Sequence, residues 1–310
     1  MNLNAVCPIC HGESIHEMPV SNWGEMRRCV SCELIFANPM TLPETPESLY
    51  DKAYKGVFEN PGMKAYSERI TRRLEMKKGN IDPEKLLFWG AHSEAKTWLK
   101  KNVPRGSAVL DIGCGMDSWL ATLRKSGFVP VGLDVAKEVV DIRTSEGFEV
   151  WHGTIDSIEP NWKQPAVCTC FFVLHHVPDP VGFLATIRSK FPKATLVIGM
   201  WNVFPAQRKM PAKGLPPRTL TWWGPKSLKK ALEKAGYRVN LLSEPIAASE
   251  FPIPQVIRQL IPHNQRTAFH YRLLSIYYAI KPAVFLPWKY WKRLKTKTKP
   301  STLLAIGEPC

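Results

Sequence analysis

Val109-Leu110-Asp111-Ile112-Gly113-Cys114-Gly115 is the stretch on which the fold turns. An apolar run that ends in an acid and then breaks into glycines reads as a buried strand entering a tight loop. The loop leads into the helical pattern Trp119-Leu120-Ala121-Thr122-Leu123-Arg124-Lys125, which Gly127 stops. Gly113 and Gly115 let the backbone turn sharply and lie close against a ligand, where a Cβ would collide. A doubly wound α/β sheet holds a nucleotide-like molecule at its C-terminal edge with this strand–loop–helix.

The residues after the glycines narrow the ligand. A dinucleotide fingerprint has a third glycine and places a helix N-terminus on a pyrophosphate. Here that glycine position is Ser118, preceded by Asp117. A carboxylate there repels a diphosphate but suits a ligand that bears a sulfonium and an ammonium. A second apolar strand, Val129-Pro130-Val131-Gly132-Leu133-Asp134, ends in an acid 134 − 111 = 23 residues after Asp111. That spacing suits hydrogen bonds to two ribose hydroxyls. The combination favours S-adenosylmethionine over NAD.

With these pieces the chain resembles the class I S-adenosylmethionine-dependent methyltransferases. The matching stretches are Asp111-Ile112-Gly113-Cys114-Gly115, Gly132-Leu133-Asp134, Gly153-Thr154-Ile155-Asp156, and Phe172-Val173-Leu174-His175-His176-Val177-Pro178-Asp179-Pro180. The resemblance implies an α/β fold, a doubly wound, seven-stranded, mostly parallel sheet. It implies that Asp111, Gly113, Cys114 and Gly115 cradle the methionyl part, that Asp134 takes the ribose, and that Asp156 borders the adenine. Many members have glycine where Asp117 sits. Asp is a good helix N-cap and accepts left-handed geometry, so the change reads as a tolerated variant; a degenerate, non-binding site is the other reading.

Cys7-Pro8-Ile9-Cys10 and Cys29-Val30-Ser31-Cys32 are two C-x-x-C knuckles separated by 18 residues. Their spacing is that of a zinc ribbon. With Cys7, Cys10, Cys29 and Cys32 all offering sulfur, no coordination position stays open, so the expected Zn2+ is structural. Metal binding would supply folding energy to a segment with little core of its own. The stretch from Cys29 through Glu33-Leu34-Ile35-Phe36-Ala37-Asn38-Pro39 to Leu49-Tyr50-Asp51 resembles the opening of bacterial methyltransferases with such a ribbon, some of them C-methyltransferases on nucleotide-linked deoxysugars. The resemblance spans roughly residues 5 to 245.

At 310 residues with 45% hydrophobic content, the chain holds one core of about 200 residues plus appendages. No apolar stretch follows a basic start, so a secretory signal is not expected. The reading divides the chain into a ribbon (1–45), a helical lead-in (46–105), a methyltransferase core (106–245), a basic aromatic helical insertion (246–299) and a final strand of the core (300–310). Strands are expected near 109–111, 129–134, 148–152, 166–173, 195–199, 237–242 and 302–306, and helices near 84–101 and 225–235.

The insertion carries much of the net charge of +15. Ten basic residues between Arg258 and Lys299 meet no Asp or Glu from residue 251 to 299 and alternate with Phe, Tyr and Trp. Basic and aromatic residues on amphipathic helices suit an anionic membrane surface. The same composition would serve nucleic acid, and a helical cap on the core with a solvated basic edge is the plain reading that both must displace. Leu273–Trp288 is too short to span a bilayer.

Methyl transfer asks mainly for in-line approach and exclusion of water. An acceptor that loses a proton also needs a base. His175 and His176, after the fourth strand of the core, are the candidates; local packing is the competing role for each. Trp201, Asn202, Trp222 and Trp223 read as lining for an acceptor pocket or as core aromatics. The expected function is a cytoplasmic methyltransferase with a small-molecule acceptor such as a sugar, nucleotide sugar or glycolipid precursor, and the inner membrane face is one surface open to residues 251–299. Two rivals stand beside it. An RNA methyltransferase fits the ribbon and the charge but lacks the Asp/Asn-Pro-Pro-aromatic motif. A catalytically silent binding module rests on Asp117 alone.

Overall fold

A computed structural model describes residues 5–20, 23–51, 90–159, 164–202, 216–217, 219–245 and 302–310. The insertion expected at 246–299 and most of the lead-in lie outside the described residues. Among the described residues, no helix is long and apolar enough to cross a membrane.

The core sheet has seven strands. They are β4 (Ala108–Ile112), β5 (Val129–Asp134), β6 (Glu149–His152), β7 (Val167–Phe171), β8 (Thr195–Trp201), β10 (Tyr237–Ser243) and β11 (Thr302–Pro309), in the order β10-β11-β8-β7-β4-β5-β6. β4, β5, β6, β7 and β8 pair in parallel, and β11 lies antiparallel between β8 and β10. This is the expected mostly parallel α/β sheet, closed by the last strand. Helices cover both faces, so the central strands are apolar along their length; Val167–Phe171 is buried at every position.

The helices follow their periodicity. In α1 (Gly90–Asn102), Ala91, His92, Ala95 and Leu99 are buried on one face. α2 (Trp119–Lys125) buries Trp119, Leu120 and Leu123 and is followed by Gly127 at φ +86°. α3 (Lys137–Ser145) buries Val139, Val140 and, with them, Arg143. α4 (Pro180–Lys190) starts on Asp179, whose carboxylate accepts from the Gly182 N–H at 2.9 Å. α5 (Pro225–Lys234) has proline in its first turn, and Gly236 follows it at φ +85°. Strand order reverses between β5 and β7 at β4. The C-terminal ends of β4 and β7 therefore bound the crevice in which such sheets bind ligands.

A second, antiparallel sheet carries the knuckles. Its order is β1 (Ser14–Val20), β2 (Gly24–Cys29), β3 (Ile35–Asn38) and β9 (Thr221–Trp222). The fourth strand comes from the core, not from the N-terminal segment: Ile35 pairs with Trp222 and Phe36 with Thr221. The ribbon also shares its apolar interior with the core, since Cys7, Ile9, Leu34 and Phe36 belong to one buried cluster with Leu110, Cys168, Trp223 and Leu228. A segment expected to have little core of its own is thus packed into the main one.

Candidate active site and four-cysteine centre

The glycine loop forms where β4 ends. Gly113 has φ +72° and Gly115 φ +47°, both in the left-handed region. A Cβ on Gly113 would sit 2.3 Å from Val173 Cγ2, so glycine here lets the loop touch the turn after β7. Asp134, at the end of β5, ties the loop from the other side. Its Oδ2 accepts from the Gly115 N–H at 2.8 Å and its Oδ1 from the Ala136 N–H at 3.0 Å. Cys114 contributes main chain only to this surface. Its side chain is buried, and its sulfur lies where a Cβ on Gly132 would come within 2.8 Å.

Asp111 is buried below the loop. Its Oδ1 accepts from Thr169 Oγ1 at 2.7 Å, and that hydroxyl accepts from Trp119 Nε1 at 3.1 Å. Burial, then the nearby Asp117 carboxylate, push the Asp111 carboxyl well above the usual carboxylate range, with Asp134 adding to the effect. Burial likewise raises Asp134. Arg143 brings the compensating charge. It is almost wholly buried, its Nε donates to the Gly115 carbonyl at 2.9 Å, a second nitrogen donates to the Asp117 carbonyl, and Nη1 meets Glu146 Oε2 at 2.9 Å. A buried guanidinium needs such partners, and here they brace the loop.

Asp117 has a partner that the sequence reading overlooked. His92, 1% exposed on the inner face of α1, places Nε2 3.3 Å from Asp117 Oδ2, while Asp117 Oδ1 accepts from the Trp119 N–H at 2.8 Å. The His92 ring stacks on Phe171 with centroids 4.1 Å apart and tilts against Trp119 and Phe172. About half of the Asp117 side chain reaches solvent. Desolvation by its neighbours favours the protonated carboxyl, but His92, the Trp119 N–H and Arg143 outweigh that and hold it below the usual range. The available signal was periodicity: His92 shares its face with Ala95 and Leu99, three and seven residues on.

Asp156 stands apart from this group. It lies in a short turn, Ile155–Ser157, beyond the edge strand β6, with its side chain exposed and its carbonyl accepting from Lys190 Nζ at 2.8 Å.

The other wall of the crevice is the turn Leu174–His176 after β7. Phe172, which leads into it, has φ +58°, a conformation that a bulky residue keeps only when its surroundings hold it. Its N–H donates to the Gly199 carbonyl at 2.8 Å and its ring lies 4.7 Å from that of Trp201. The rings of His175 and His176 are 3.8 Å apart, His175 buried and His176 half-buried, and Tyr50 meets His176 edge-on at 5.4 Å. Of the four residues read as pocket lining, Trp201 stays beside this turn. Trp223 is fully buried in the core, with Nε1 donating to Thr221 Oγ1 at 2.9 Å. Trp222 packs on the ribbon's apolar cluster, and Asn202 Nδ2 donates to Glu244 Oε1 at 3.1 Å.

Cys7, Cys10, Cys29 and Cys32 converge. Their sulfur atoms all lie within 4.8 Å of one another, with Cys7–Cys32 at 3.5 Å and Cys10–Cys29 at 3.3 Å. Sulfurs at the corners of a zinc tetrahedron are separated by about 3.8 Å. The two knuckles repeat the same backbone geometry. His11 and Glu33, each just after the second cysteine, have φ +57° and +65°. The His11 N–H donates to the Cys7 carbonyl, and Glu33 does the same to Cys29. The Ile9 N–H points at Cys7 Sγ and the Cys32 N–H at Cys29 Sγ, both at 3.4 Å. Such N–H···S contacts stabilise thiolates as metal ligands.

Comparison with known proteins agrees with this architecture. Residues 90–242 match the family model described as a methyltransferase domain. The ubiquinone biosynthesis O-methyltransferase of Vibrio vulnificus (strain YJ016) is 36% identical over 91 residues, 27% of this chain and 37% of that protein. The protein of the same name from Haemophilus ducreyi is 25% identical over 175 residues, 47% of this chain and 74% of that one. The chain thus spans little more than a third of the length of the Vibrio relative. A chain from the solved complex of the Haloferax volcanii Trm112 methyltransferase activator with its methyltransferase superposes with a TM-score of 0.53 at 16% identity, over 82% of this chain and 96% of that one, a likeness of fold alone. The chain therefore carries the class I S-adenosylmethionine-dependent methyltransferase fold, joined to an N-terminal sheet that bears a four-cysteine cluster.

Proposed function

We propose that the chain is an S-adenosylmethionine-dependent methyltransferase with a small-molecule acceptor. The observation that carries this is the convergence of three carboxylates, Asp111, Asp117 and Asp134, on a glycine loop at the point where strand order reverses. The residues fit the donor: two left-handed glycines leave room for close approach, and three adjacent carboxyl groups, whose ionisation a bound cation favours, suit a cation over a diphosphate. Asp117 supports function over degeneration, because His92 and Trp119 hold it in place instead of leaving it adrift in the loop.

Bound S-adenosylmethionine supplies a methyl group already activated on a positively charged sulfur. In this reading the chain's own groups bind and orient. Gly113, Cys114 and Gly115 present main chain to the methionyl part. Asp134 keeps lone pairs for the ribose hydroxyls beyond those used by Gly115 and Ala136. Asp156 borders the adenine from the turn beyond the edge strand. Asp111 and Asp117 lower the local potential for positive charge. His175 and His176 accept the proton that a hydroxyl or amine acceptor gives up. In the narrower form, the acceptor is a sugar, nucleotide sugar or glycolipid precursor; the name of the Vibrio and Haemophilus relatives favours a hydroxyl as the acceptor group.

Cys7, Cys10, Cys29 and Cys32 hold a structural Zn2+ in this reading, within a chain divided into ribbon, lead-in, core, insertion and final strand, with Thr221–Trp222 of the core lent to the ribbon sheet. The basic and aromatic composition of residues 251–299 supports contact with an anionic membrane surface at the cytoplasmic face, beside the plain reading of a helical cap with a solvated basic edge. Calorimetry on the zinc-loaded protein tests the function. Micromolar binding of both S-adenosylmethionine and S-adenosylhomocysteine is expected, followed by turnover in a screen of nucleotide sugars and lipid-linked glycans. Absence of binding by folded protein would overturn the reading.

A further inference from the structure

Leu220 stands between two distant parts of the molecule. Its N–H donates to the His175 carbonyl at 2.8 Å, and its carbonyl accepts from the Ala37 N–H at 2.7 Å. Thr221 repeats the link. It is fully buried and pairs with Phe36 of β3. Its hydroxyl donates to the Leu174 carbonyl at 3.4 Å while accepting from Trp223 Nε1 at 2.9 Å. Two residues thus lie between the ribbon's inner strand and the Leu174–His176 turn.

Both ends of this link are well defined. β3 follows directly on the second knuckle, where the Cys29 N–H donates to the Leu34 carbonyl at 2.8 Å. Leu34 and Phe36 share a buried cluster with Cys7, Cys29 and Cys32. Lys226, at the start of α5, reaches Glu33 beside the knuckle at 2.6 Å. At the other end, the turn begins at Phe172, whose left-handed backbone relaxes unless its surroundings fix it. The glycine loop is braced by a different set: Asp134 of β5, Arg143 of α3 and His92 of α1.

We propose that Leu220 and Thr221 are positioning residues that carry the geometry of the four-cysteine ribbon to the His175–His176 turn. The ribbon then belongs to the acceptor side of the crevice, and metal loading sets where the two imidazoles stand. This rests on the reading of that turn as the acceptor side.

Amide hydrogen exchange on the full chain, metal-loaded and after chelation, tests it. Metal removal should lower protection at 174–177 and 220–222 by about tenfold or more beyond whatever common loss the core strands at 110–115 and 131–134 show. Loss confined to the knuckles and β3, or a loss at 174–177 and 220–222 no larger than that of the core sheet, would overturn the proposal. Thr221→Val and Thr221→Ser, both metal-loaded, give a second reading by NMR titration of the two imidazoles. Valine should displace their titration curves and serine restore them; identical curves in all three proteins would remove Thr221 from the link. Calorimetry with S-adenosylmethionine on the same samples separates the two ideas. A wild-type protein that fails to bind the donor strikes the proposed function and leaves the exchange result standing.

Discussion

The four-cysteine cluster and the carboxylate-rimmed glycine loop both gather groups suited to positive charge, and they are built in opposite ways. The cluster is local and closed. Four sulfurs from two knuckles of like geometry face one point, and each knuckle supplies its own N–H···S contacts. The loop is open and assembled from afar. Asp111, Asp117 and Asp134 need Thr169, His92 and Arg143, from three other elements, to tolerate one another. A closed set of ligands suits a permanent ion. An open set, with its charges held apart by protein partners, suits a ligand that comes and goes.

The sharpest way to break this contrast is to open the closed site. Cys29→Ser should lose the bound metal and cost about 4 kcal/mol, lowering the unfolding midpoint by about 10 °C. The effect should be global, since the cluster lies inside the main apolar core. Metal analysis with scanning calorimetry checks it. A variant that loses metal yet melts like the wild type would show the cluster to be peripheral.

Asp134→Ala acts on the open site. It removes the acceptor for Gly115 and the proposed ribose ligand together, so donor affinity should fall by about 2–3 kcal/mol, roughly 30- to 150-fold. The midpoint of unfolding should move by only a few degrees. Unchanged affinity by calorimetry would count against placing the ribose there.

Asp111→Asn should separate binding from stability. The folded-state pKa of Asp111 is raised, chiefly by burial. Its contribution to stability is therefore full below the ordinary carboxylate range and is lost as pH rises through the raised value. Asparagine still accepts from Thr169 and escapes that loss, so the variant should be more stable at neutral pH by about 0.5–2 kcal/mol. Its donor affinity should fall by about tenfold, the worth of one charge-assisted contact. A bound cation favours ionised Asp111, so in the wild type affinity for S-adenosylmethionine should rise with pH across the same window. S-adenosylhomocysteine, without the sulfonium, should show a shallower rise. Parallel pH profiles for the two ligands would mean that Asp111 does not sense the donor's charge.

Legibility in the sequence follows the same division. The strand ending in Asp111, the strand ending in Asp134 and the two knuckles are contiguous stretches whose residue types are dictated locally, and they could be read directly. β9 could not be read, because a two-residue strand has no period of its own and its partner β3 lies far away in the chain. That pairing is also why, of two residues adjacent to a site in sequence, Trp223 is a core residue in space and Trp222 packs, partly buried, on the ribbon. Arg143 and His92 were hidden for a subtler reason. Each is a polar residue on the buried face of a helix, and periodicity marks that face as core without saying which charge it must meet.

His92 therefore gives the finest test of how the open site is held. His92→Phe keeps an aromatic ring among Phe171, Trp119 and Phe172 and removes the nitrogen beside Asp117. Without that contact, Asp117 loses its main support against desolvation, and its carboxyl should titrate at higher pH. The donor should bind about threefold more weakly, near 0.7 kcal/mol, with little change in melting because the packing is conserved. Asp117→Asn in the same background decides the cause. If His92 acts through the Asp117 carboxylate, the double variant should bind no worse than Asp117→Asn alone. Additive losses would assign His92 a direct contact with the donor, and the site would then hold its ligand from α1 as well as from the sheet.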